Sequence, residues 1–132
     1  EVGGFVEFPL AYASDDATFI LMGEKKGICT IPGEPVLWRN SGINITSSQS
    51  LNKIKYKAIL HFYKWLHFHK SRFSYSKKDF TIGLFGQIRI LRISTTTFLR
   101  YSFCLIMLVG IRNYFYYTYK LHKFKVKRLI NS

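Results

Sequence analysis

From residue 51 to residue 132 a single carboxylate, Asp79, stands against seventeen Lys and Arg, giving this stretch a formal charge of +16. Compact structure in such a segment repels itself, and a polyanion, nucleic acid or an anionic membrane surface, relieves the repulsion. Residues 1–50 differ: six acidic residues outweigh Lys25, Lys26 and Arg39, for a charge of −3. The sequence therefore reads as two parts, 1–50 and 51–132.

Wholesale disorder is excluded by composition. Hydrophobic residues make up 48% of the chain and aromatics 17%, enough apolar surface to offset the entropy of ordering a chain. A length of 132 residues suits one ordinary domain and not two large independent cores. Cys29 and Cys104 are few and far apart, which implies neither a disulfide framework nor a metal cluster, and they suit either redox compartment. The first residue, Glu1, is not an initiator and no signal-peptide pattern follows it, so the sequence reads as a processed chain or a fragment. Asn44-Ile45-Thr46 fits a glycosylation acceptor, a motif short enough to arise by chance.

The expected fold class is α+β. Residues 1–50 read as a small antiparallel β part, because short β-branched runs at 18–22, 28–31, 36–38 and 43–46 alternate with turn chemistry such as Gly23 to Gly27 and Pro32-Gly33-Glu34-Pro35. Residues 2–8 are a further candidate strand. A basic amphipathic helix follows over 51–70, where Leu51, Ile54, Ala58, Phe62, Trp65 and Leu66 recur at three and four. Residues 71–78 read as a linker. The β-branched alternation of 81–93, with Gly83 and Gly86 as bends, predicts strand. The apolar, aromatic-rich segment 101–119 leads into the basic run 120–128. Its uncharged core of eleven residues, closed by Arg112, falls short of the roughly 20 apolar residues that a spanning helix needs.

Candidate contacts to nucleic acid or lipid headgroups are Lys53, Lys57, Lys64, Lys70, Arg72, Lys77, Lys78, Lys120, Lys123, Lys125, Lys127 and Arg128. Each can neutralise a phosphate, and the interleaved aromatics Tyr56, Tyr63, Trp65, Phe68, Phe73 and Tyr75 offer faces for stacking on unpaired bases. Trp65 and Phe62 sit on the predicted apolar stripe and read as core. His61, His67 and His69 do not share one helical face, so they do not read as a metal site. Gly83-Leu-Phe-Gly86 lacks the rest of a phosphate-binding loop, and no nucleophile with its base is indicated. No enzyme activity, cofactor or metal is expected.

Three readings follow. The first is a structural or accessory protein that binds RNA phosphates in a larger assembly, such as an organellar ribonucleoprotein. In residues 51–132, 41 of 82 positions are Phe, Tyr, Met, Ile, Asn or Lys, the bias of an AT-rich genome. The second is a membrane-associated accessory protein anchored by 101–119 on an anionic surface. The third is a fragment of a β-rich protein carrying an unselected readthrough extension from about residue 51, for which the abrupt change of composition is the support.

Overall fold

A computed structural model describes residues 4–29, 31–34, 45, 48–73, 75–91 and 93–130, with backbone alone for 124–130. Among the described residues every regular element is helical, and the expected α+β class is thereby corrected to all-α. Two compact units result, Glu1–Ser74 and Tyr75–Ser132.

Unit 1 contains a 3-10 turn at Pro9–Ala11, helix α1 at Ser14–Gly23 and helix α2 at Asn52–Phe68. The predicted strand at 18–22 lies inside α1. Asp15 and Asp16 in the first turn favour helix through its dipole, and the helix buries its small side chains, Ser14, Ala17 and Thr18, while Phe19 and Met22 stay exposed. Hydroxyl chemistry explains this inversion. The Thr18 hydroxyl donates to the Ser14 carbonyl at 2.7 Å and accepts from the Val6 amide at 3.1 Å. Ser14 Oγ accepts from the Phe8 amide at 3.1 Å. The extended backbone before the turn thus finds its partners on α1 and not in a sheet, so the candidate strand at 2–8 is not formed over its described residues. Of 28–31, the described residues are likewise irregular. The candidates at 36–38 and 43–46 lie outside the described residues, Ile45 excepted, which is in a turn.

The helix expected over 51–70 is present as α2. Its most deeply buried apolar side chains are Tyr56, Ala58, Ile59, Leu60 and Tyr63, so the core side is rotated from the predicted stripe. Phe62 and Trp65 are half-buried and hold Phe8 edge-on, with ring centroids 6.1 and 6.4 Å away. Two adjoining apolar arcs, one fully and one partly covered, occupy much of the helix circumference. Tyr63 faces Asp16 from the core, and burial together with that carboxylate pushes its phenol up to about 12.

Unit 2 comprises α3 (Lys77–Leu91), α4 (Thr95–Arg100), α5 (Ser102–Val109) and α6 (Ile111–Ile130). The strand expected over 81–93 is α3 as far as Leu91, and Lys77 and Lys78 belong to the helix and not to a linker. Ser76 caps its start: Ser76 Oγ accepts from the Asp79 amide at 3.0 Å and donates to Asp79 Oδ2 at 2.6 Å. Phe80, Leu84, Ile88 and Leu91, spaced at helical period, are buried with Thr81 and Phe85. Ser94 caps α4 by accepting from the Thr97 amide at 3.2 Å.

The apolar segment 101–119 is divided by Gly110. Its φ of 84° and ψ of 153° belong to a region essentially reserved for glycine, and they end α5 one residue before α6 starts. The two helices then pack on each other. Tyr114 stacks on Phe98 at 6.1 Å and its hydroxyl bonds Ser102 Oγ at 2.8 Å, while Asn113 Nδ2 donates to the Val109 carbonyl at the end of α5. Phe85 of α3 stacks on Tyr117 of α6 at 5.2 Å. Among the described residues no helix is long and apolar enough to cross a membrane.

Candidate nucleic-acid interface

With its apolar arcs turned inward, α2 has a narrow sector left for charge. Lys53, Lys57, His61 and Lys64 are all exposed, and at 3.6 residues per turn they fall within an arc of about 80°. Phe68 continues the same arc at the helix end and is 80% exposed. The result is a ridge about 22 Å long from Lys53 to Phe68, at a rise of 1.5 Å per residue, with three ammonium groups, an imidazole and an aromatic tip.

The electrostatics of the ridge follow from its composition. The His61 imidazole lies below its ordinary value because partial burial disfavours the cation and Lys57 and Lys64 repel it. A phosphate seated among these side chains reverses the second cause. No carboxylate occurs in α2, so its cations have no acidic neighbour along the helix.

Lys55 shows the contrast. It is 1% exposed, and its ammonium donates to the Ser48 carbonyl at 2.6 Å and approaches Asn52 Oδ1 at 3.4 Å. Burial lowers its pKa. This lysine ties the approach segment to the first turn of α2.

The other predicted contact residues are dispersed. Lys70 is exposed in the turn after α2. Arg72 is engaged: its guanidinium forms a two-pronged ion pair with Glu24 and lies 5.8 Å from the Phe73 ring centroid. Lys77 and Lys78 are exposed at the start of α3, and Lys120 and Lys123 are exposed on α6. Lys125, Lys127 and Arg128 follow on the same helix, with side chains outside the described residues. Five of the twelve predicted residues therefore fall in unit 1 and seven in unit 2. His61 was not selected from the sequence, although its spacing from Lys57 and Lys64 in the expected helix places it on their face; what the structure adds is that this face, with Phe68 at its end, is exposed.

Among the proposed stacking aromatics, Tyr56 and Tyr63 are buried, and Tyr75 stacks on Phe80 at 5.4 Å. Phe73 packs near Trp65, with centroids 5.7 Å apart. Phe68 remains accessible. His69 Nδ1 is 2.8 Å from the Trp65 carbonyl, a helix-end hydrogen bond. Among the described residues no group of three His, Cys, Asp or Glu is placed to hold a metal ion. The chain gives no match to a protein-family model, to a curated protein or to a solved structure.

Proposed function

We infer that the chain is a non-enzymatic protein that binds RNA through the phosphate backbone, with the α2 ridge as its contact surface, as part of a larger assembly. The observation that carries this reading is the alignment of Lys53, Lys57, His61 and Lys64 on one exposed helical face. Three cations along one face suit a charged strand running beside the helix, and the accessible Phe68 at the end suits one unpaired base stacked on its ring. The AT-rich bias of the basic region supports an organellar setting for that assembly. The packing of α2 on Phe8, on the 3-10 turn and on α1 supports a unit in which the sequences before and after residue 51 fold together.

The test is RNA affinity of the full chain as a function of salt. Neutralised phosphates on a single strand give a log-log slope of about −0.7 each. The double variant Lys57→Gln/Lys64→Gln should flatten the wild-type slope by about 1.4. An unchanged slope would remove α2 as the contact surface. Phe68→Ala should weaken binding by roughly fivefold or more with no change of slope, since stacking on one base contributes about 1–3 kcal/mol.

A further inference from the structure

Unit 2 exposes large apolar side chains in a region where the sequence is strongly basic. Along α6, Ile111, Phe115 and Tyr119 recur every four residues and are 62, 62 and 66% exposed. They share an arc of about 80°. The inward side of the helix carries Tyr114 and Tyr117. On α5, Phe103 and Met107 repeat the four-residue spacing, and both are exposed.

Beside the apolar row of α6, the next arc of about 80° holds Arg112, Lys123 and Lys120, all exposed. Lys120 lies 4.6 Å from the Tyr116 ring centroid. Neither α5 nor α6 contains a carboxylate, so the cationic strip has no neutralising neighbour on its own helices.

A row of large apolar side chains bordered lengthwise by cations is the arrangement of a helix lying in a membrane interface. Its apolar row enters the acyl boundary while the ammonium and guanidinium groups meet anionic headgroups. Tyrosine suits that boundary because its ring is apolar and its hydroxyl is wet. RNA would satisfy the cations and leave Phe115 and Ile111 in water; an anionic bilayer satisfies both strips at once. We propose that α6, with α5 beside it, docks on the surface of an anionic lipid bilayer without crossing it. This surface is separate in sequence from the α2 ridge and does not depend on the RNA reading.

Flotation of the full chain with phosphatidylcholine vesicles, with and without phosphatidylglycerol, tests the proposal. Binding should require the anionic lipid and fall with salt. Phe115→Ser should lower partitioning roughly tenfold, from the apolar area withdrawn from the acyl boundary. Lys120→Gln should lower it about fivefold. Phe115→Trp guards against a folding artefact: it should retain binding and show a vesicle-dependent blue shift beyond that of the wild type. Undiminished flotation of Phe115→Ser, equal binding to neutral vesicles, or failure to float by a chain that still binds RNA would each overturn the proposal. Lys57→Gln/Lys64→Gln should float like the wild type.

Discussion

The two units handle positive charge in opposite ways. Unit 1 has nine Lys and Arg and six acidic residues. Arg72 there finds an acidic partner in Glu24, and Lys53, Lys57 and Lys64 of α2 gather on one exposed face. Unit 2 has eleven Lys and Arg against Asp79, whose carboxylate is engaged by Ser76 at the start of α3. Its helices are joined by aromatic stacks, Phe85 on Tyr117 and Phe98 on Tyr114, and large apolar side chains also point outward. The contrast teaches that net charge alone does not specify a partner. The same lysines beside a polar face or beside an apolar row suit different polyanions.

The largest expected effect compares the interiors. Leu60 of unit 1 is 2% exposed and Leu84 of unit 2 is fully buried. Truncation of either to alanine should cost about 2–5 kcal/mol, read as lost hydrogen-exchange protection in α2 or in α3. A loss below about 1 kcal/mol for Leu84→Ala would mean that the unit 2 helices are not close-packed, and the comparison would then be between a folded region and a loosely organised one.

An intermediate effect separates two glycines within unit 2. Gly110→Ala should destabilise by about 1–3 kcal/mol, because its φ of 84° disfavours any side chain although the nearest atom, Lys77 Nζ, is 3.9 Å from the new Cβ. Gly86→Ala sits inside α3 with open space around the added carbon and should stabilise by roughly 0.5–1 kcal/mol. Thermal melts of the two variants should move in opposite directions.

The smallest effect concerns the charge pair that unit 1 has and unit 2 lacks the acids to copy. The Arg72 guanidinium holds the Glu24 carboxyl below its ordinary 4.5. A carboxyl with a lowered folded-state pKa stabilises the fold above its ordinary value, and that contribution disappears as pH falls through the lowered one. The pair is exposed, so the contribution is small. Urea midpoints of wild type and Glu24→Gln should differ slightly at neutral pH and converge in acid.

How much of this was legible in the sequence varied with the element. The α2 period was readable, but its phase was not. Apolar residues occupy much of the circumference, and only the position of Phe8 and α1 decides which of them is buried. For α3 the β-branched residues and two glycines outweighed a usable signal, Ser76 three residues before Asp79, and the observed hydrogen bonds show this serine capping the helix start. For α1 the run at 18–22 suggested a strand, whereas the Ser14 and Thr18 hydroxyls accept hydrogen bonds from the Phe8 and Val6 amides, six and twelve residues earlier. Exposed lysines were predictable from charge. The place of Phe68 and His61 beside them follows from the helical period, but that this side of α2 is the uncovered one needed the structure.

The corner at Gly110 also bears on how the chain reaches its structure. It returns Tyr114 to Ser102 across twelve residues, so this contact closes a short loop, and short loops close in well under a microsecond. Helical structures dominated by such local contacts fold fast. The α5–α6 pair can therefore form as soon as its own residues are available, giving α3 a ready-made aromatic surface on which Phe85 can dock.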